Sequence, residues 1–151
     1  MFGQKRDEPS FPRTPLAFLG LIIVIGVFWI ITSNRFGPSV PAGSVADVGP
    51  QTLAQLTGMG KPGVLELYTS NCPWCTKMEP ELAKLEEQYP DTLFVVKMNA
   101  EEHRAEAVRY RVQAVPTLIY FDSSGSVKAN EPGFRTAAEM AARLKELGLI
   151  K

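Results

Sequence analysis

The stretch Val64-Leu65-Glu66-Leu67-Tyr68-Thr69-Ser70-Asn71-Cys72-Pro73-Trp74-Cys75 decides the fold of this 151-residue chain. Its first five residues are apolar around one carboxylate and read as a strand. Thr69, Ser70 and Asn71 make a short loop, and a helix starts at Pro73. Cys72 then falls at the helix N-cap. Pro73 is well placed at the first helical position, where its missing N–H would have had no intrahelical partner. The free N–H groups and the positive end of the helix dipole stabilise a thiolate at Cys72, lowering its pKa from about 8.5 and making it the nucleophile. Cys75, one turn further on, is the resolving thiol.

These are the only two cysteines in the chain, and their spacing suits reversible closure of a small disulfide ring. A zinc site needs four ligands, whereas the chain offers one such pair and a single histidine, His103, so zinc would require a second copy. A purely structural disulfide closing so short a loop restricts the unfolded chain little and stabilises it little. No metal and no cofactor is expected.

Outward from the motif, Met78, Leu82, Leu85 and Tyr89 recur at helical spacing, so one face of the helix packs inward. Pro80 should kink it, and Pro90-Asp91 ends it. Residues 92–98 (TLFVVKM) read as a second buried strand and residues 100–109 as a second helix. Residues 117–121 and 126–129, separated by Asp122-Ser123-Ser124-Gly125, read as a hairpin. Ala137, Met140, Ala141, Leu144 and Leu147 mark a last amphipathic helix, and residues 51–57 a short one ahead of the first strand. This order predicts an α/β domain with parallel pairing first and an antiparallel edge later.

Several residues gather around the cysteines. Glu66 interrupts an apolar strand six residues before Cys72, and burying a carboxylate there is costly unless it is paired or protonated. Lys97 interrupts the next strand in the same way. If the two strands are neighbours, the pair shares a proton or a charge beneath the cysteines, and a carboxyl of raised pKa there can take the proton of Cys75. The alternative for each is a side chain turned to solvent. Val115-Pro116 opens the strand TLIYF, where a trans proline is allowed as the first residue and a cis bond would bring the loop alongside the cysteines. Trp74, at the exposed helix start, is a candidate substrate contact. His103 is read as a surface residue, and Met59, Met78, Met98 and Met140 as core filler.

The front of the chain differs in kind. Residues 16–32 (LAFLGLIIVIGVFWIIT) are an uncharged run of 17 residues, near the lower end of the roughly 17–25 that cross a bilayer as a helix. No pair of small residues suited to signal cleavage follows closely, so an uncleaved anchor is favoured over a signal peptide. Lys5, Arg6 and Arg13 precede the run and only Arg35 closely follows it, which puts the N-terminus in the cytoplasm. The expected organisation is a cytoplasmic tail at 1–15, a transmembrane anchor at 16–32, a linker at 33–50 and an extracytoplasmic domain at 51–151. From Asp47 onward 12 Lys/Arg stand against 14 Asp/Glu, with no basic stripe to suggest nucleic acid. The expected partners are protein disulfides, a bilayer and a membrane thiol carrier that supplies electrons.

Taken together, the strand acid six residues before the first cysteine, the C-x-x-C at a helix start, Pro80 five residues after Cys75, Lys97-Met98-Asn99, Val115-Pro116-Thr117 before an apolar hairpin, and Gly133 resemble the thioredoxin family. The resemblance covers residues 64–151 and implies a mixed four- or five-stranded sheet with helices on both faces, a cis Pro116, and an N-terminal strand that is short or missing. It implies that Cys72 attacks a substrate disulfide and Cys75 resolves the mixed disulfide. Glu66 and Lys97 then assist proton transfer, and Val115 offers its backbone to an extended substrate. Asn71 stands where thioredoxins carry Trp, and Pro73-Trp74 replaces their Gly-Pro, nearer the Pro-Tyr of glutaredoxins. The acid is Glu rather than Asp, as in several extracytoplasmic relatives. Strong oxidases and isomerases of this fold have a histidine between the cysteines, which favours a reductase here. An oxidase or isomerase, and an interaction module with idle cysteines, are the alternatives.

Overall fold

A computed structural model describes residues 45–151. The expected tail at 1–15, the span at 16–32 and the linker up to residue 44 lie outside the described residues. Among the described residues no helix is long and apolar enough to cross a membrane.

The elements follow in the order β1 (Ala46–Asp47), α1 (Pro50–Thr57), β2 (Gly63–Tyr68), α2 (Pro73–Gln88), β3 (Phe94–Asn99), α3 (Arg104–Arg109), β4 (Thr117–Phe121), β5 (Val127–Pro132) and α4 (Ala137–Glu146). They build one five-stranded sheet in the order β1-β3-β2-β4-β5. β3 runs parallel to both β1 and β2, whereas β4 runs antiparallel to β2 and β5 antiparallel to β4. Parallel β2 and β3 need a long crossover, which α2 supplies.

Both faces of the sheet are covered, which explains why β2, β3 and β4 are nearly continuous apolar runs. Val64, Val95, Leu118 and Tyr120 pack with Met78, Leu82 and Leu85 of α2 and with Met140 and Leu144 of α4. On the other face Leu65, Leu67, Val96, Met98, Ile119 and Phe121 pack around Leu53 of α1. Strand residues alternate between faces, so Glu66 and Lys97 share the α2 face with Val64 and Val95. Gly63 is required by close approach, because a Cβ there would stand 2.3 Å from the Phe94 ring.

Several boundaries differ from the sequence expectation. The end of the expected linker belongs to the domain: Ala46 and Asp47 pair with Val96 and Lys97, Val45 and Val48 are buried, and α1 starts at Pro50. Two residues between Val45 and Val48, just ahead of Gly49-Pro50, are too few to show an alternation, so this short first strand left no pattern to read. The expected helix at 100–109 keeps only its second half, because the Asn99 side chain accepts the Glu101 N–H and the Asn99 carbonyl accepts the His103 N–H, which shapes a turn first. β5 extends to Pro132, tolerated because β5 is an edge strand. Helix α2 runs unbroken through Pro80 for its 16 residues. Met78, Met98 and Met140 are core residues as expected, but Met59 is exposed and His103 is half-buried, its ring beside Gly49.

Candidate active site

Cys72 caps α2 with an extended backbone, and its Sγ accepts the Cys75 N–H at 3.1 Å. Pro73 occupies the first helical position behind it. The two cysteines are joined as a disulfide with their Cα atoms 5.3 Å apart. Cys72 is 8% and Cys75 5% exposed. The N–H that now meets Cys72 Sγ is placed to stabilise the thiolate when the bond is reduced.

A polar cavity of about 180 Å³ lies beside Cys75 and is lined by Glu66, Tyr68, Thr76, Glu79 and Lys97 among others. Glu66 and Lys97 are opposite each other in the β2–β3 register. Glu66 is 1% exposed, its Oε1 has no hydrogen-bond partner, and burial pushes its carboxyl up to about 8 against the pull of Lys97. The charges of Glu79 and Asp47 push it the same way as burial. Lys97, however, is not ion-paired with Glu66. Its ammonium binds the Glu79 carboxylate and lies 5.4 Å from the centre of the Tyr68 ring. The Tyr68 hydroxyl in turn donates to the Asp47 carboxylate, and Asp47 is the β1 residue in register with Lys97.

On the other side of the motif, Trp74, Val115, Pro116, Gly133 and Phe134 line an open apolar cleft of about 260 Å³. The Val115–Pro116 peptide is cis. Trp74 is 55% exposed, its ring is 6.0 Å from that of Phe134, and the Lys77 ammonium lies 4.5 Å from its centroid. Gly133 has a φ of +101° and donates its N–H to the Pro116 carbonyl at 2.7 Å, which ties the cis bond to the end of β5.

Every site residue singled out in the sequence therefore lies in one of these two pockets or in the disulfide between them. Glu79, Tyr68, Asp47 and Phe134 were not singled out. Glu79 had a readable signal: it stands four residues after Cys75, on the same helix face. Asp47 and Phe134 had none, since their roles depend on strand pairing and on the loop after β5.

A profile of the thioredoxin family, described simply as thioredoxin, matches residues 51–146. The chain belongs to the thioredoxin family. This is a family of thiol–disulfide oxidoreductases, and the Cys72–Cys75 pair stands at bonding distance within the matched region. Among curated relatives, the chain is 31% identical to the thiol:disulfide interchange protein TxlA homolog of Synechocystis sp., over 54% of this chain and 46% of that protein. It is 27% identical to the chloroplastic thioredoxin-like protein HCF164 of Oryza sativa subsp. japonica, over 87% of this chain and 51% of that protein. The chain thus spans about half the length of these relatives. The solved structure of chloroplastic thioredoxin z superposes with a TM-score of 0.62 at 18% identity, covering 70% of this chain and 95% of that one. Oxidized mitochondrial thioredoxin 3 from Saccharomyces cerevisiae does so with a TM-score of 0.60 at 22% identity, covering 68% and 94%. These two likenesses concern the fold.

Proposed function

We propose that this protein is a thiol–disulfide oxidoreductase that reduces protein disulfides outside the cytoplasm. It is held at the membrane by residues 16–32 and re-reduced by a membrane thiol carrier. The observation that carries the redox reading is the cysteine pair at the start of α2, with the Cys75 N–H on Cys72 Sγ and a buried carboxyl in the adjoining cavity. In the reduced protein the Cys72 thiolate attacks one sulfur of a substrate disulfide. That bond breaks, the departing substrate sulfur takes a proton from water, and a mixed disulfide forms. Glu66 stands as the carboxylate while Cys75 carries the shared proton as a thiol; Cys75 then returns that proton to Glu66 and attacks Cys72 Sγ. The second substrate thiolate leaves, and two electrons have passed from the protein dithiol to the substrate. A carboxyl near 8 is well matched to a thiol of about 8.5, so that transfer is close to balanced.

The apolar cleft suits an extended substrate segment, with Val115 offering backbone groups beside Pro116 and Trp74 and Phe134 taking an apolar side chain. The membrane part of the proposal rests on the uncharged run at 16–32 and the cationic residues before it.

Trp74 between the cysteines supports the reductase direction, because it adds no positive charge to hold the thiolate. The test is the reduction potential of the Cys72/Cys75 couple in the full chain in detergent, equilibrated against glutathione buffers. A value near ~−270 mV is expected, and one near ~−120 mV would make the protein a disulfide donor.

A further inference from the structure

Lys97 has a choice of carboxylates. Glu66 faces it across the β2–β3 register, Asp47 faces it across β1–β3, and Glu79 reaches it from α2. The ammonium is bound to Glu79, while Asp47 is taken by the Tyr68 hydroxyl and Glu66 keeps an unpartnered, buried oxygen. The two ends of the cavity are thus unlike. Lys97 and Glu79 are partly exposed, at 17% and 36% of their side chains, and Glu66 is sealed beneath them next to Cys75.

We propose that Glu79 is a positioning residue for the Cys75 half of the reaction: by holding the Lys97 ammonium at the outer end of the cavity, it keeps Glu66 neutral and loaded with a proton while the Cys72–Cys75 disulfide is closed. The inference rests on the proton-transfer role of Glu66 in the reading above and adds a direction to it. When a donor thiolate attacks Cys72 Sγ of the oxidised protein, the Cys72–Cys75 bond breaks and Cys75 departs with the electron pair. Neutral Glu66 gives Cys75 its proton and is left as a carboxylate. The donor's second thiol completes the reduction and is itself oxidised to a disulfide. A Glu66 paired directly with Lys97 would be ionised at neutral pH and have no proton to give. Burial acts in the same sense as Glu79, as does the nearby Asp47, and Lys97 is the one cation among the groups that bear on Glu66.

Glu79→Gln removes the hold. Lys97 then turns to Glu66, its neighbour in register, and Glu66 ionises about one to three pH units lower, the range seen for a carboxyl that gains a cation within 4–6 Å. The experiment is the pH dependence, from 5 to 10, of single-turnover reduction of the oxidised full-length protein in detergent by dithiothreitol, normalised for the thiolate content of the reagent. The wild-type rate is expected to fall as pH rises through a limb near 8. Glu79→Gln moves that limb down by one to three units, Glu79→Asp restores much of its position, and Glu66→Gln removes it. In a Lys97→Met background Glu79→Gln moves it far less, since the effect passes through the lysine. If the Glu79→Gln limb coincides with the wild-type limb while Glu66→Gln abolishes it, the inference about Glu79 is wrong and the role of Glu66 stands. If Glu66→Gln leaves the limb in place, the role of Glu66 itself is wrong.

Discussion

The two pockets that flank the disulfide differ in everything but position. One is open and apolar, built from Trp74, the cis Pro116 and Phe134 on loops and a helix start. The other is polar, built from Glu66 and Lys97 on the central strands and Glu79 on α2. Apolar surface at an open cleft gives an extended chain somewhere to lie without fixing its sequence. Ionisable groups gathered in a cavity give a proton somewhere to go, because removal from water makes their charge states depend on one another. On the proposed reading, the comparison teaches that the motif separates two tasks, recognition on one side and proton handling on the other, with Cys72 and Cys75 shared between them.

The largest expected effect breaks both tasks at once. Cys72→Ser should abolish turnover. Cys75→Ser should leave attack intact but stop resolution, so that mixed disulfides with substrates accumulate and are recovered on non-reducing gels. Absence of any trapped partner from cells expressing Cys75→Ser would sink the exchange mechanism. Next comes the polar side alone. Glu66 has its carboxyl raised to about 8 in the folded protein, whereas the unfolded chain titrates near the usual 4.5. The folded state therefore holds a proton that the unfolded state has lost between those values. Stability from this group is complete below pH 4.5, declines as pH rises, and is lost above about 8. Glu66→Gln should flatten that slope and raise stability at pH 9, by an amount of the order of a few kcal/mol, measured by urea unfolding across pH. A wild-type stability that does not fall between pH 5 and 9 relative to Glu66→Gln would contradict the buried neutral carboxyl.

The apolar side should respond to a different probe. Trp74→Ala is expected to raise KM for a protein disulfide roughly tenfold, about 1.4 kcal/mol, as for loss of one aromatic contact in a binding surface. Its reaction with oxidised glutathione should change little, because so small a disulfide needs no cleft. Equal losses with both substrates would show that Trp74 acts on the cysteines rather than on recognition.

This division was only partly visible in the sequence. The strand–cysteine–helix order was legible because a short apolar run, a proline at a helix start and the spacing of Met78, Leu82 and Leu85 are local signals. That Glu66 and Lys97 meet was read only conditionally, from two charges interrupting apolar strands that were taken as neighbours, and the register that puts them opposite each other is tertiary information. The partner of Lys97 did not follow, since Glu79 wins it by reaching across from α2, and no local pattern ranks three carboxylates around one ammonium. The strand at Ala46–Asp47 was hidden for a related reason: its two residues are held by pairing with Val96 and Lys97, which is tertiary information.

The smallest expected effect separates the two remaining suitors of Lys97. Asp47 sits in register with Lys97 and is occupied by the Tyr68 hydroxyl, while Lys97 lies over the Tyr68 ring. Tyr68→Phe keeps the ring and removes only the hydroxyl, so it frees Asp47 to compete for the ammonium. If Glu79 already holds Lys97 by the better geometry, the cost is a single partly exposed hydrogen bond, about 0.5–1.5 kcal/mol in urea unfolding. The pH limb of dithiothreitol reduction then stays where it is in the wild type. A limb that moves instead would mean that the tyrosine, by occupying Asp47, is what leaves Lys97 to Glu79, and that the positioning of the lysine begins at the strand hidden in the linker.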